Sequence, residues 1–183
     1  YIGKQCGIDK VITFDMGGTS ADISLIENYT PQVSNERLVE GYPARIPMIN
    51  IITIGAGGGS IAKIDEGGAL KVGPKSAGAT PGPACYMRGG ENPCVTDANI
   101  VLGKLNQKKI LGGRMDVDIE LARKAIKEKI CDKSDLSPDQ AANGIVTVVN
   151  SNMVRAIRSV SGEKGYDVRE FSLMAFGGAG PLH

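Results

Sequence analysis

The feature that most constrains the fold is a pair of glycines between two strand-like runs near the start of the chain. An apolar run leads into Asp15, and residues 21–26 alternate between apolar and polar side chains. This pattern predicts a β-hairpin whose turn contains Gly17 and Gly18. Glycine has no Cβ, so its backbone can approach a ligand closely and its N–H groups can point at an anion. The turn is therefore either an anion site, in which Asp15 holds a metal ion or its water and Thr19 adds a hydroxyl, or an ordinary tight hairpin.

A second glycine cluster lies near residue 180. Residues 171–176 form another strand-like run, which ends in Gly177, Gly178 and Gly180, with Pro181 behind them. A strand that ends in glycines, followed by a proline suited to the first turn of a helix, is typical of a helix N-terminus that faces a nucleotide. Neither cluster is a P-loop, because no Gly-Lys-Ser/Thr follows. Neither matches the dinucleotide fingerprint, since the first leads into a strand and the second lacks the spacing.

The first half of the chain beyond the hairpin is predicted to be mainly β. A third strand is expected around residues 32–39, and a β-branched run predicts another at residues 46–54. Two short runs around an Asp-Glu-Gly-Gly turn predict a second hairpin over residues 61–72. Residues 73–83 contain three prolines and three glycines, so we expect a loop there.

Helical patterns follow that loop. Asp97, with the threonine before it, can cap a short helix, and either Asp116 or Asp118 can cap a second one. Ser137 and Gln140 form a capping box with proline at the first helical position, ahead of a broad apolar stripe. The three helices are expected at residues 96–105, from about 119 to 130, and at 138–161.

Four features each have two interpretations. The glycine-rich run at residues 55–60 is either a loop facing a phosphate or substrate, or a tight crossing between packed elements. Asp22 either helps to hold the hairpin turn or is an exposed strand acid. Cys85 could be a nucleophile, but its motif has no base and His183 is the only histidine, so we do not expect this role. The sequence leaves open whether Cys85 and Cys94 form a disulfide.

The composition excludes several classes of protein. The formal net charge is +1, which gives no electrostatic basis for a nucleic-acid or membrane partner. No apolar run approaches the ~18 residues of a membrane span. The four cysteines form no Cys-x-x-Cys pair, so a structural zinc site is not expected. Reduced thiols in the cytoplasm are the expected state and location.

Several motifs in a fixed order resemble one known family over residues 11–183. The chain is similar to the hydantoinase A / 5-oxoprolinase family, which includes N-methylhydantoinases and the nucleotide-binding subunits of acetone-type carboxylases. These motifs are specific for the family but not for a substrate within it. The segments that carry the resemblance are FDMGGTSADI, TIGAGGGSIA, VGPKSAGATPGPACY, TDANIVLG and FGGAGPLH.

The resemblance implies an α/β fold with a mixed sheet, as in one half of the actin, Hsp70 and sugar-kinase ATPases with their ribonuclease H-like core. Residues 15–22 are similar to the second phosphate loop of that fold, and residues 177–180 to the loop beneath the adenosine. The first phosphate loop has no counterpart, so we expect an incomplete piece of a longer enzyme. Residues 1–64 and 137–183 would form the ATPase-like core, and residues 65–136 an inserted or flanking subdomain.

The resemblance also implies an activity and its ligands. The parent enzyme would open cyclic amides of the hydantoin or 5-oxoproline type by ATP-driven phosphorylation of the carbonyl, together with a hydantoinase B-like subunit or domain. The alternatives are a segment of an acetone-type carboxylase and a non-enzymatic actin-like nucleotide module. This piece alone is expected to be inactive and to self-associate. Asp15 would act in catalysis and hold Mg²⁺ through water, and ATP would be bound by Gly17, Gly18, Thr19, Gly177, Gly178 and Gly180.

Overall fold

The computed structural model describes residues 1–34, 37–39, 42–44, 46–162 and 165–183. The helices are α1 (Ile2–Cys6), α2 (Val95–Val101), α3 (Ile119–Lys129) and α4 (Pro138–Gly162). The strands are β1 (Val11–Met16), β2 (Ala21–Glu27), β3 (Thr30–Pro31), β4 (Val33–Ser34), β5 (Arg37–Val39), β6 (Tyr42–Ala44), β7 (Met48–Ile49), β8 (Ile51–Ile54), β9 (Ser60–Ile64), β10 (Leu70–Ser76), β11 (Lys109–Ile110), β12 (Met115–Asp116) and β13 (Ser172–Phe176).

The central sheet is mixed and is built on the hairpin of β1 and β2. These two strands pair antiparallel, with Val11 opposite Ile26 and Met16 opposite Ala21, so the predicted hairpin is confirmed. On its other edge β1 pairs in parallel with β13. Strand β2 pairs antiparallel with β8 near its start and with β3 near its end. The predicted mixed α/β class is therefore confirmed.

Helix α4 covers one face of this sheet, as its apolar stripe predicts. Its capping box is formed: the Ser137 N–H donates to Gln140 Oε1 at 2.9 Å, and the Gln140 N–H donates to Ser137 Oγ at 3.3 Å. Alternate residues of β1 and β2 and one face of the helix are buried together, which makes this layer the centre of the core. The buried helix residues on that face are Ala141, Ile145, Val149, Met153, Ala156 and Val160.

The middle of the chain also packs against α4, through α2, α3 and β10. The β9–β10 hairpin forms as expected, and Asp118 caps α3 by accepting a hydrogen bond from the Glu120 N–H at 2.8 Å. Helix α2 is buried along its whole length. One hydrophobic cluster runs from the sheet through α4 into α2 and α3. The division into a core of residues 1–64 and 137–183 and a subdomain of residues 65–136 stays a prediction.

Strand boundaries differ from the sequence expectation where the chain changes partner. The strands expected at residues 32–39 and 46–54 are instead short pieces, because β4 pairs with β7 while β8 pairs with β2. Part of the first expected strand lies outside the described residues. Strand β10 also extends into the predicted loop, as far as Ser76. A register shift between Val72 and Ser76 accommodates Pro74, which has no N–H for a regular ladder.

Helix α2 is shorter than predicted. It ends at Val101 rather than near residue 105, because Gly103 just beyond it adopts φ +71°. A glycine in the left-handed conformation is a common terminator of helices. Among the helices of the described residues, none is long and apolar enough to cross a membrane.

Candidate nucleotide site

The two glycine clusters meet at one edge of the sheet. Because β1 and β13 are parallel, both strands end at the same edge, and Asp15 lies beside Phe176 in the ladder. The Ala179 N–H donates to the Met16 carbonyl at 2.9 Å, which ties the loop of residues 177–180 to the end of β1. The structure therefore brings together the residues that the sequence assigned to two separate loops.

The hairpin turn, residues 17–20, presents backbone donors to solvent. It is closed by the Gly17 N–H, which donates to the Ser20 carbonyl at 3.0 Å. Gly18 and Thr19 are exposed, and within the described part of the chain their N–H groups have no hydrogen-bond partner. Apart from the adjoining residues, no atom of the described residues lies within 4 Å of the position that a Cβ on Gly17 or Gly18 would occupy. Two adjacent free donors beside open space fit a phosphate group.

Asp15 places a negatively charged carboxylate beside the hairpin turn, where it could hold a metal ion. Its carboxylate is half-buried and forms no ion pair or hydrogen bond within the described residues. Mg²⁺ is usually held by one or two carboxylates together with phosphate oxygens and waters, so one free carboxylate beside the turn fits it. No group of three or more His, Cys, Asp or Glu side chains that could hold a metal occurs in the described ranges.

Asp22 lies directly opposite Asp15 on β2, but it interacts away from the turn. Thr53 Oγ1 on β8 donates to Asp22 Oδ1 at 2.5 Å. Asp22 therefore links two strands of the sheet.

Gly177 makes the close approach of the second loop possible. Its φ is +83°, and a Cβ at this position would collide with the Asp15 carboxylate and the Met16 carbonyl. Gly178 is exposed, and among the described residues beyond its chain neighbours none comes within 4 Å of where its Cβ would lie. Gly180 is buried and packs toward the Phe14 carbonyl. The backbone of this loop therefore lies against Asp15 itself. The assigned roles of these glycines stay predictions.

The glycine run at residues 55–60 is packed behind the hairpin turn. The Gly58 N–H donates to the Gly17 carbonyl at 3.0 Å, and the Gly59 N–H donates to the Gly18 carbonyl at 2.6 Å. All residues from 56 to 60 are buried. Of the two interpretations that the sequence left open, the observed contacts fit a tight crossing between packed elements.

Sequence reasoning missed the contribution of Ser76. It lies at the end of β10, where its hydroxyl is 3.5 Å from Thr19 Oγ1 and accepts a hydrogen bond from the Gly78 N–H at 3.1 Å. The expectation of a loop over residues 73–83 hid this residue, because only the extension of β10 carries it to the turn.

Asp97 and the two central cysteines have structural roles. The Asp97 carboxylate is completely buried and accepts hydrogen bonds from the N–H groups of Ala84, Cys85 and Cys94 at 3.2, 2.8 and 2.8 Å. It lies in the first turn of α2 and completes a capping box there, but the N-cap position is occupied by Cys94 rather than by Thr96 or Asp97 as the sequence indicated. Burial raises the pKa of Asp97, against the effect of these donors.

Cys85 and Cys94 are buried and unpaired. Burial, with Asp97 nearby, raises the pKa of the Cys85 thiol, which disfavours a nucleophilic thiolate.

His183 is held by two amide side chains. Its Nδ1 lies 2.8 Å from Asn150 Oδ1, and its Nε2 lies 3.3 Å from Asn99 Nδ2. An amide oxygen only accepts, so Nδ1 carries the proton and Nε2 accepts from Asn99. Burial, with a smaller contribution from Lys104, lowers the pKa of His183 to about 4. The neutral ring therefore fastens the second glycine loop to α2 and α4.

Comparison with known proteins identifies the family of the chain. The hydantoinase/oxoprolinase family model matches residues 1–183. The chain belongs to the hydantoinase/oxoprolinase family. The caprolactamase α subunit of Pseudomonas jessenii is 48% identical over 182 residues, which are 100% of this chain and 26% of that subunit. The 5-oxoprolinase 1 of Arabidopsis thaliana is 41% identical over 94% of this chain and 15% of its own length.

Two solved structures of family members share the fold. The crystal structure of the ATP-dependent caprolactamase from P. jessenii superposes with a TM-score of 0.90 at 48% identity. The nucleotide-free structure of an acetone carboxylase superposes with a TM-score of 0.91 at 34% identity. Each match covers 100% of this chain and 26% of the other, so the chain spans about a quarter of these relatives. The architecture is consistent with half of an actin-like ATPase.

Proposed function

We propose that this chain is the phosphate-binding part of a larger ATP-dependent enzyme that opens cyclic amides. The observation that carries the proposal is the junction of the hairpin turn, Asp15 and the second glycine loop at one edge of the sheet. The high identity to a caprolactamase subunit over the whole chain favours an amide substrate. ATP and Mg²⁺ are the proposed ligands, and a second subunit is the proposed partner, of the hydantoinase B-like type.

The residues of the site have separate roles in this proposal. The N–H groups of Gly18 and Thr19 bind phosphate oxygens, and the Thr19 hydroxyl adds a third donor. Asp15 holds Mg²⁺ through a water molecule, and the backbone at Gly177 and Gly178 lies beneath the adenosine. Bound MgATP supplies a phosphoryl group that activates an otherwise unreactive amide carbonyl. The part played by the protein is positioning and charge neutralisation, as in other phosphoryl-transfer enzymes.

A second candidate is an ATP-dependent ketone carboxylase. It is favoured by the TM-score of 0.91 to the acetone carboxylase structure. The two activities would use the same phosphate site on different substrates.

ATP consumption by the full-length protein with its partner subunit tests the proposal. Caprolactam, 5-oxoproline and hydantoin are compared with acetone plus bicarbonate. We expect a cyclic amide to stimulate ATP hydrolysis, and Asp15→Asn to abolish it while Asp116→Asn, at an exposed β-strand acid, does not. Stimulation by acetone and bicarbonate alone would select the carboxylase. Undiminished hydrolysis by a folded Asp15→Asn protein would remove Asp15 from the site.

A further inference from the structure

The directions of the Gly18 and Thr19 N–H groups in the hairpin turn are set by residues packed on its buried side. A trans peptide unit is planar, with its C=O and N–H pointing in opposite directions. The Gly17 carbonyl points inward to the Gly58 N–H, so the N–H of Gly18 must point outward. The Gly18 carbonyl points inward to the Gly59 N–H, so the N–H of Thr19 must also point outward.

Residues 57–59, which we call the buttress, therefore orient both proposed phosphate donors. The contact is very close: a Cβ on Gly57 would lie 2.6 Å from the carbonyl oxygen of Gly18 and from the Thr19 nitrogen. Only glycine allows this approach without moving the turn. The buttress is buried, so it would act on a ligand through the backbone of the turn.

The buttress is in turn held by Thr96, at the start of α2. The Thr96 hydroxyl donates to the Gly58 carbonyl at 2.8 Å, and the Thr96 N–H donates to the same oxygen at 2.7 Å. Thr96 is only 8% exposed. Thr96 thus fixes the peptide unit that contains the Gly58 carbonyl and the Gly59 N–H, and this N–H donates to the Gly18 carbonyl. The Gly58 N–H, on the preceding peptide unit, donates to the Gly17 carbonyl.

We infer that Thr96 is a positioning residue for phosphate binding, acting through Gly58 on the peptide planes of the hairpin turn. This inference rests on the proposed function and adds a residue that does not touch the ligand. Its hydroxyl keeps the Gly18 and Thr19 N–H groups directed outward, so that they need not reorganise when an anion binds.

The test compares variants of the full-length protein by calorimetry with MgATP and with adenosine, which has no phosphates. Thr96→Val replaces the hydroxyl by a methyl group of similar size. We expect it to weaken MgATP binding about fivefold to tenfold, as for one lost hydrogen bond, and to leave adenosine binding unchanged. Thr96→Ser keeps the hydroxyl and should restore MgATP binding. Should Thr96→Val not fold, Thr96→Ala takes its place.

A matched control separates positioning from general loss of stability. Ser161 is also buried, and its hydroxyl donates to the Ile157 carbonyl at 2.9 Å, on the far end of α4. The melting temperature of each variant is measured alongside, and Ser161→Ala should leave the affinity for MgATP unchanged. Unchanged MgATP affinity in Thr96→Val, or an equal loss of affinity for adenosine, would overturn the inference about Thr96 but not the proposed function. Failure of the unmodified protein to prefer MgATP over adenosine would overturn the proposed function as well.

Discussion

At the scale of single residues, the glycines of this chain serve different purposes. Gly17 and Gly18 lie in the turn and leave open space for a ligand. Gly57 permits two backbones to touch, and Gly177 permits the second loop to reach Asp15. A sequence pattern records only that each position is glycine, so it could not tell an open position from a packed one.

Substitution of Gly57 tests a glycine that is packed against another stretch of backbone. A Cβ there would meet the backbone of the turn rather than a flexible side chain, so we expect Gly57→Ala to lower the free energy of unfolding by about 1–3 kcal/mol. The control is Gly67→Ala, where the nearest atom of the described residues to a Cβ is Asp65 Oδ1 at 3.5 Å. Urea unfolding of both variants is the measurement. Equal stability of the two would show that the turn moves freely away from the buttress.

The single histidine gives a second residue-scale prediction. Burial lowers the pKa of His183 to about 4, and the ordinary value is about 6.5. Its neutral form is therefore favoured by folding, so its contribution to stability is present above pH 6.5 and is lost as the pH falls toward 4. NMR titration of the imidazole should show a midpoint near 4 in the folded chain. A midpoint at or above 6.5 would mean that the ring is not held between Asn150 and Asn99.

At the scale of elements, α2 contacts both the buttress behind the hairpin turn and the histidine that follows the second glycine loop. Through Thr96 its first turn holds Gly58, and through Asn99 its buried side touches His183. The Asp97 carboxylate fixes the start of the same helix against residues 84–94. A helix of seven residues could not be stable by itself, so its position depends on these buried contacts.

Asp97→Ala should therefore be much more damaging than loss of an ordinary cap. It leaves three buried N–H groups without their acceptor, and we expect the free energy of unfolding to fall by about 3 kcal/mol or more. Asp118→Ala, which removes the exposed cap of α3, should cost about 1 kcal/mol. Chemical unfolding of the two variants makes the comparison. Similar losses would indicate that the Asp97 carboxylate is replaced by water.

Much of the element pattern could be predicted from the sequence because it is locally encoded. The hairpin of residues 11–26 and helix α4 follow from alternation, a glycine turn and a capping box. The extension of β10 to Ser76 and the packing of residues 57–59 depend on partners distant in sequence, which no local pattern contains. The TDANIVLG motif indicated a cap at Asp97, but not that Thr96 would reach the Gly58 carbonyl.

At the scale of the whole molecule, the candidate site is an open edge. Gly18, Thr19, Gly177 and Gly178 are exposed, and β13 leaves Leu173 and Phe176 exposed at 58% and 43%. Parallel strands are usually covered on both faces. The chain spans about a quarter of its relatives in the solved structures, and further parts of the parent protein are proposed to enclose the nucleotide.

The 183-residue chain by itself should therefore bind MgATP weakly. We expect a dissociation constant in the millimolar range, about −4 kcal/mol, no steady hydrolysis, and self-association through the uncovered apolar surface. Calorimetry and analytical ultracentrifugation would measure these properties. Micromolar binding or steady turnover would mean that the proposed further parts are dispensable for the site.

The most direct test of the central claim is a crystal structure of the full-length protein with Mg²⁺ and a non-hydrolysable ATP analogue. We predict phosphate oxygens within hydrogen-bond distance of the Gly18 and Thr19 N–H groups, Asp15 beside the hydrated metal, and adenosine over Gly177 and Gly178. The Gly17 and Gly18 carbonyls should still point to the buttress. Phosphates bound elsewhere, with the hairpin turn empty, would contradict the claim.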